Sequence, residues 1–372
     1  MEEVGLAGLA AVSALGRGAE AQLAGALAGT APFTTVQRFP IERHRVKVAA
    51  TLPDAGTLSD ELADVIDQAC TQAGLTHDER AATPLMLAVH AFPDAPRVSL
   101  DRWRTPAELA ESLSGTVGTG PVARVYTSAC VSGSTAVAEA AGMIRTGRAE
   151  RVVVAGGYLV ESDQFALFDA GRTLATDGAV RPFSVGRTGL LLGDAVAAVV
   201  LESVAVTRRR ARTELAQLVG WGRAGDAFHA VQPHPQGDGM ARAISAALRR
   251  AGIEPDALGY VNAHGTGTPY SDTAEAAALH RALGPAAARI PISSTKATHG
   301  HALEASALIE LVVTVLAMRA GKLPVNAGFL APDEDCELNV ITSGPRSVNS
   351  DHALSVNAAF GGANTALVVK TP

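Results

Sequence analysis

The sequence is poor in aromatic residues, charged residues and cysteines. Of its 372 residues, 4% are aromatic and 18% are charged. Cys70, Cys130 and Cys336 are too few and too scattered to form a disulfide framework, which favours a reducing compartment. Because so few residues carry a charge, we expect a large buried core or subunit interface, built from Ala, Val and Leu rather than from aromatic side chains.

Long apolar runs and basic stripes are missing as well. The longest apolar run, 308–318, contains Glu310 and is shorter than the roughly 18 residues that span a membrane. The amino terminus begins Met-Glu-Glu and does not resemble a signal peptide. The net charge is −6 and no basic stripe carries interleaved aromatic residues, which argues against nucleic acid as a partner. The basic run at 208–212 is typical of a solvated helix face, although it could also dock an acidic protein. We therefore expect a soluble, cytoplasmic protein that binds neither membrane nor nucleic acid.

Short β-branched segments alternate with helical patterns along the chain, which predicts an α/β fold with sheets between layers of helices. The predicted strands are 4–13, 122–126, 151–157, 194–203, 216–225, 258–265 and 290–297, with a hairpin at 353–370. The predicted helices include 238–252 and 303–322. A break near 204–215 divides the chain into halves 1–205 and 206–372. Since the candidate nucleophile lies in the first half and the histidine motifs lie in the second, we expect one compact unit with its site at the junction.

Cys130 lies between the short apolar stretch 122–126 and a long Ala-rich helical pattern. The small residues around it are typical of a strand, a sharp turn and a helix start. A thiol at that turn faces the positive end of the helix dipole, which favours the nucleophilic thiolate. A free cysteine is often an inert core residue, and we interpret Cys70 and Cys336 in that way. Together with two distant histidine motifs, however, Cys130 indicates covalent acyl chemistry.

The first histidine motif is HGTGTP, which begins at His264 directly after a predicted buried strand. A histidine at that end of a strand points into the crevice where α/β sheets bind ligands. Thr266 and Thr268 add hydroxyl groups beside it. A histidine that only caps a loop is the alternative interpretation.

The second histidine motif is KATHGH, from Lys296 to His301. Glu310 follows His301 by nine residues on a predicted helix, so lysine, histidine and glutamate could form a charge network that orients the imidazole. Lys296 could instead be an ordinary surface lysine. His299 and His301 could both bind a metal, but no third ligand has suitable spacing, and we predict no metal.

Near the carboxyl terminus, Phe360, Gly361 and Gly362 follow a predicted strand. Glycines there let the backbone approach a ligand closely. A free amide at such a position could help to bind an oxyanion.

Seven segments of the chain together resemble the β-ketoacyl-acyl carrier protein synthases, or ketosynthases. In chain order they are VGLAGLAAVSALG, SACVSG, RPFSVGRTGLLLGDAVAAVVLES, DAFHAVQPHPQGDGMARAI, VNAHGTGTPYSDTAE, STKATHGHALEASALIE and NAAFGGANTA. The resemblance covers nearly the whole chain, in the family's order. It implies the thiolase-type α/β fold, five layers αβαβα with two pseudo-equivalent halves, usually in a homodimer.

The resemblance also implies a role for each matching residue. Cys130 would be the acyl-accepting nucleophile, and His264 and His301 would stabilise a thioester enolate. Lys296 and Glu310 would be the supporting charged pair. The backbone amides of Cys130 and Phe360 would form the oxyanion hole, and Phe360 would also gate the acyl pocket. The implied substrate-binding residues are Thr266, Thr268, Phe168, His229 and Gly361.

The implied function is that of a stand-alone β-ketoacyl synthase in polyketide or specialised fatty-acid biosynthesis. It would condense a Cys-bound acyl chain with a malonyl-type carrier thioester by decarboxylative Claisen condensation. The substrates would arrive on the phosphopantetheine of an acyl carrier protein, without a metal or redox cofactor. The implied assembly is a homodimer, or a heterodimer with a ketosynthase-like subunit.

The sequence departs from the family pattern at several positions. The segment before Cys130 is shorter than usual. Ala358 and Ala359 replace the usual Phe-Gly, Glu304 replaces a small residue, and Ser184 replaces a common Asp. These departures favour a specialised enzyme, in which Glu304 could tune His301 or contact a substrate.

Three alternatives follow from the same residues. A related acyltransferase or cyclase would acylate Cys130 but would not decarboxylate a malonyl group. A non-catalytic partner subunit is the second, although such subunits typically lose the cysteine. A degradative thiolase would need a second cysteine in a Cys-x-Gly motif, whereas Cys336 is followed by Glu-Leu.

Overall fold

A computed structural model describes residues 2–91 and 105–372. Its strands are β1 (Val4–Ser13), β2 (Gly16–Arg17), β3 (Thr34–Thr35), β4 (Val48–Ala49), β5 (Leu85–Ala88), β6 (Val122–Tyr126), β7 (Arg151–Tyr158), β8 (Ala195–Ser203), β9 (Ala216–Gly225), β10 (Leu258–Asn262), β11 (Ile292–Ser293), β12 (Lys322–Leu323), β13 (Arg346–Ser347), β14 (His352–Ala359) and β15 (Ala363–Lys370). Its helices are α1 (Ala19–Ala28), α2 (Leu58–Gln72), α3 (His77–Ala81), α4 (Pro106–Val117), α5 (Ser132–Arg145), α6 (Ser162–Ala170), α7 (Val204–Arg209), α8 (Asp238–Ala251), α9 (Pro269–Leu283), α10 (Lys296–His299) and α11 (Ser306–Ala320).

A long mixed sheet has the strand order β11-β10-β14-β15-β9-β1-β8-β7-β5-β6. Its amino-terminal wing, β1-β8-β7-β5-β6, has two antiparallel pairings followed by two parallel pairings. Its carboxyl-terminal wing, β9-β15-β14-β10-β11, repeats that pattern. The wings join where Gly5 and Leu6 of β1 pair with β9. The repeated pairing pattern confirms that the fold has two pseudo-equivalent halves.

Helices cover both faces of both wings. α2 and α4 pack on the outer face of the amino-terminal wing, and α8 and α9 pack on the outer face of the carboxyl-terminal wing. Between the wings lie α5 and α11, which share the largest hydrophobic core with both wings of the sheet. A helix in such a central layer must be apolar all round, and α11 is buried on nearly every face. The layers therefore follow the predicted order αβαβα.

Most predicted elements are confirmed at their positions. The segments 4–13, 151–157, 194–203 and 216–225 form strands, 353–370 forms the hairpin β14–β15, and α8 ends at Gly252 in the left-handed conformation. The predicted strand 290–297 is too long, because the backbone N–H of Ser294 donates to the Asn326 side chain instead of to a neighbouring strand. Residues 204–209 form α7, so the predicted boundary at 205 falls within a helix and stays a prediction. Within residues 2–91 and 105–372, none of the helices has the length and apolar character that crossing a membrane requires.

Glycines in β9 allow α8 to lie close to the sheet. A Cβ atom added to Gly222 would lie 1.9 Å from the carbonyl oxygen of Ala243, far inside van der Waals contact. We expect Gly222→Ala to lower the free energy of unfolding by about 1–3 kcal/mol, because α8 must shift to admit the methyl group. Denaturant unfolding with Gly142→Ala as control tests this, since a Cβ atom at Gly142 of α5 would meet nothing within 4 Å. Equal stability of the two variants would contradict the close approach.

Candidate active site

Cys130 lies in a short 3-10 helix, Ala129–Val131, between β6 and α5. Ala129 has a φ of 51°, in the left-handed region that non-glycine residues rarely occupy. This strained turn places the thiol at the amino end of α5. The predicted strand, turn and helix start are therefore confirmed, and the Cys130 side chain is buried.

The Cys130 thiol contacts a histidine that is 171 residues away in the sequence: Nε2 of His301 lies 3.1 Å from Sγ. Burial raises the pKa of this thiol to about 12, and the nearby Glu304 carboxyl adds to the shift. The helix start was expected to favour the thiolate, and burial shifts the pKa of this thiol in the opposite direction. Nε2 of His301 is within hydrogen-bonding reach of the thiol and can accept its proton when the ring carries its own proton on Nδ1.

His264 and His301 form a pair of neutral imidazoles. Their ring centroids are 5.6 Å apart and their planes are nearly perpendicular, at 85°. Burial, followed by the nearby Lys296 ammonium group, lowers the pKa of both rings well below the usual value of 6.5. Each ring can therefore offer one N–H group to a ligand in the space between them.

Carboxylates on α9 hold the backbone of the HGTGTP loop. Glu275 accepts the backbone N–H groups of His264 and Gly265, both at 2.7 Å, and Asp272 accepts that of Gly267 at 3.1 Å. All of these groups are buried. Sequence analysis missed Glu275 and Asp272. Their position on the helix that follows a Gly-rich loop was the available indication, because such carboxylates can reach back to loop amides.

Lys296 and Glu310 form a buried ion pair with an Nζ–Oε1 distance of 2.5 Å. Lys296 also donates to the backbone oxygen of His264 at 2.7 Å, and Asn357 donates to the second Glu310 oxygen at 2.6 Å. The surface-lysine alternative is therefore wrong. The charge network was expected to orient the His301 imidazole, but its hydrogen bonds instead tie the His264 backbone to α11 and β14.

The backbone of His301 is fixed by the segment that precedes β8. His301 donates its N–H to the oxygen of Leu191 at 2.7 Å, and Gly193 donates to the oxygen of His301 at 3.1 Å. A Cβ atom at Gly193 would lie 1.9 Å from the carbonyl oxygen of His299, so only glycine permits this approach. Both ring nitrogens of His299 are engaged locally, with Thr295 Oγ1 and Gly300 O.

Cys130, His264 and His301 all line one cavity of about 140 Å³. Four further predicted residues share its wall: Phe168, Thr266, Thr268 and Phe360. The Phe168 and Phe360 rings stack with centroids 5.8 Å apart, and Phe360 is 46% exposed, as a side chain at the mouth of a cavity would be. Ala358 and Ala359, which replace the Phe-Gly usual in the family, also line this cavity.

His229 and Gly361 do not line the cavity. His229 is exposed, and its Nδ1 accepts the backbone N–H groups of Val231 and Gln232, both at 3.0 Å. Gly361 donates its N–H to the oxygen of Ala230 at 2.7 Å. Both residues therefore shape the loop 226–233, whose Val231 and Gln232 reach the cavity wall. Direct substrate contact by His229 and Gly361 stays a prediction.

Glu304 is a buried carboxyl group on the short 3-10 helix Leu303–Ala305. Burial raises its pKa to about 7. Among the described residues, its Oε2 atom has no hydrogen-bond partner. Among the described residues no hydrogen bond joins Glu304 to His301 in support of the expected tuning, and the Glu304 carboxyl instead raises the pKa of Cys130. Ser184, the other polar departure, accepts the backbone N–H groups of Leu330 and Ala331 and so holds a loop.

Comparison with known proteins gives two adjoining family matches. The beta-ketoacyl synthase N-terminal domain matches residues 46–206, and the beta-ketoacyl synthase C-terminal domain matches residues 215–330. The 3-oxoacyl-[acyl-carrier-protein] synthase 2 of Staphylococcus aureus is 35% identical over 247 residues, which are 65% of this chain and 61% of that protein. The match thus spans about three fifths of the curated relative's length.

Solved structures match over the whole chain. The ishigamide ketosynthase/chain length factor has a TM-score of 0.93 and 26% sequence identity, over 100% of this chain and 99% of that one. A beta-ketoacyl synthase from Burkholderia phymatum STM815 has a TM-score of 0.90 and 27% identity, over 100% of both chains. These similarities confirm the predicted fold class.

The raised pKa of Glu304 makes the stability of the protein depend on pH. Between the usual value of 4.5 and about 7, the unfolded chain is ionised at this residue while the native protein keeps the proton. Stability therefore falls as the pH rises through this window, by roughly 3 kcal/mol at about 1.4 kcal/mol per pKa unit. Glutamine does not titrate. Between pH 5 and pH 8 we therefore expect the free energy of unfolding of Glu304→Gln to rise, relative to that of the wild type, by up to roughly 3 kcal/mol.

Denaturant unfolding at the two pH values measures this difference. Glu111→Gln is the matched control, because Glu111 is exposed on α4. A pH dependence that is the same in Glu304→Gln and in the wild type would contradict the assignment.

The buried ion pair predicts a strong asymmetry between single and double variants. Glu310→Gln leaves the Lys296 ammonium group buried without its counter-charge, which we expect to cost about 3–5 kcal/mol of unfolding free energy. The double variant Lys296→Met/Glu310→Gln removes both charges and should recover most of that loss. A double-mutant cycle by denaturant unfolding measures the coupling, and additive effects would argue against it.

Proposed function

The chain belongs to the β-ketoacyl synthase family, and on that premise we propose that it is a stand-alone β-ketoacyl synthase that performs decarboxylative Claisen condensation. The proposal is carried by one observation: Sγ of Cys130 lies 3.1 Å from Nε2 of His301, on the same cavity as His264. A nucleophile, a proton acceptor and two neutral N–H donors are the groups that this reaction needs.

The first step transfers an acyl group to Cys130. As Sγ attacks the thioester carbonyl, the thiol proton passes to Nε2 of a His301 ring that carries its own proton on Nδ1, and the oxyanion accepts hydrogen bonds from the backbone amides of Cys130 and Phe360. The carbon–sulfur bond to the carrier then breaks, and the leaving thiolate takes the proton from His301. Burial of the site keeps water from the acyl-cysteine.

The second step forms the new carbon–carbon bond. A malonyl-type thioester loses CO₂, and the electron pair of the broken bond becomes an enolate. The N–H groups of His264 and His301 stabilise its oxygen, at roughly 3 kcal/mol for a well-placed donor. The enolate carbon attacks the acyl carbonyl, and Cys130 leaves as a thiolate that takes up one proton from solvent water. Lys296 and Glu310 act indirectly, by holding the backbone of His264.

The substrates in this proposal are carried on the phosphopantetheine of an acyl carrier protein, and the name of the Staphylococcus aureus relative includes an acyl carrier protein for that protein. Thr266 and Thr268, whose hydroxyls are 2.9 Å apart, would contact the phosphopantetheine arm. The stacked Phe168 and Phe360 would gate the acyl chain. No step requires a metal or redox cofactor. A cytoplasmic location, polyketide or specialised fatty-acid biosynthesis, and a homodimer or a heterodimer with a ketosynthase-like subunit remain part of the proposal.

Intact mass spectrometry with a panel of acyl carriers and malonyl carrier tests the function. We expect an acyl adduct on the wild type and on Cys336→Ala, no adduct on Cys130→Ala, and condensed product on the malonyl carrier. His264→Ala should keep the adduct but lose at least 100-fold in condensation, because one of two enolate donors is missing.

Two outcomes would overturn the proposal. An adduct without condensed product would favour an acyltransferase or cyclase. Failure of every acyl donor to modify Cys130 would favour a non-catalytic partner subunit.

A further inference from the structure

A buried serine contacts His301 on the side of the ring opposite the thiol. Ser306, the first residue of α11, places Oγ 2.8 Å from Nδ1 of His301, while Nε2 faces Cys130. Ser306 is fully buried. Sequence analysis did not single out this residue.

The other hydrogen bond of the Ser306 hydroxyl determines whether Ser306 or His301 is the donor in this contact. Oγ of Ser306 accepts the backbone N–H of Ala302 at 3.0 Å, so one of its lone pairs is already used. Among the described residues, Nδ1 of His301 is the acceptor within reach of the hydroxyl proton. A buried hydroxyl that keeps its proton undonated loses a hydrogen bond that water would otherwise supply. The satisfied arrangement therefore has Ser306 donating to Nδ1, which leaves the ring proton on Nε2.

We propose that Ser306 is a positioning residue that holds His301 with its proton on Nε2, the nitrogen that faces the cavity. This inference rests on the proposed function. A neutral ring in that form presents an N–H donor where the enolate oxygen develops. Acyl transfer uses the other neutral form, in which Nδ1 carries the proton and Nε2 is free to accept the thiol proton; the hydroxyl then rotates and accepts Nδ1–H through its second lone pair. Ser306 thus serves both forms of the ring, but it favours the one that decarboxylation uses.

The two half-reactions should therefore respond differently to loss of the hydroxyl. In Ser306→Ala the ring is free to carry its proton on Nδ1, so the enolate donor is lost for part of the time. We expect decarboxylation of malonyl carrier to slow by roughly 10- to 100-fold. Acylation of Cys130 should not slow, since the Nδ1–H form, which accepts the thiol proton at Nε2, becomes more populated. Ser306→Thr keeps the hydroxyl and should restore most of the decarboxylation rate.

Ser355→Ala is the matched control. Ser355 is a fully buried serine on β14 whose Oγ has no hydrogen-bond partner among the described residues. Its loss should change neither half-reaction. Equal slowing of both half-reactions in Ser306→Ala, without rescue by threonine, would mean that Ser306 only supports the fold, and would overturn the inference. An unchanged decarboxylation rate would overturn it as well.

A direct readout separates this inference from the proposed function. Nitrogen-15 chemical shifts of histidine-labelled protein report which ring nitrogen of His301 carries the proton, and His301→Gln assigns the signal. We expect Nε2–H in the resting wild type and a mixture of both forms in Ser306→Ala. A resting wild type with Nδ1–H would overturn the inference whatever the activity, whereas Nε2–H in a protein that neither acylates nor decarboxylates would uphold it while the proposed function fails.

Discussion

The 3.1 Å contact between Cys130 Sγ and His301 Nε2 is the interaction on which the site depends. Each of the two residues belongs to a different wing of the sheet, so neither wing can form the contact alone. It exists because α5 and α11 lie together in the central layer and because the segment before β8 pairs with the backbone of His301. The strained turn at Ala129 and the close approach at Gly193 are the local features that this convergence requires.

Burial determines the charge state of the site. It raises the pKa of the thiol and lowers the pKa of both imidazoles, so the resting centre is neutral although an ion pair lies directly behind it. Uncharged rings suit chemistry in which negative charge develops on a thioester oxygen, because each neutral imidazole can offer one N–H donor to that oxygen. Lys296 contributes in two ways, by fixing the backbone of His264 and by disfavouring protonation of both rings.

The features that depend on residues close together in the sequence could be predicted. Strand, turn and helix start around Cys130, the position of His264 after a strand, and the layered α/β fold were all available from residue patterns and from the order of the motifs. The pKa shift of Cys130 could not be predicted from these patterns, because it depends on how deeply packing buries the thiol. Glu275 and Ser306 were missed for a related reason: their roles come from side-chain hydrogen bonds to a loop and to a ring, which no spacing rule marks. The strand at 290–297 was predicted too long because the backbone N–H of Ser294 donates to the side chain of Asn326, which lies more than thirty residues later in the sequence.

The pairing of β1 has a consequence for the order in which a newly made chain acquires reactivity. β1 pairs with β2 directly after it, but its longer partner β8 and its neighbour β9 come much later in the chain. His301 and most strands of the carboxyl-terminal wing come later still, so the contact between the thiol and the imidazole cannot form before that part of the chain is synthesised. During synthesis, Cys130 therefore exists for a time as a cysteine without its neighbouring histidine.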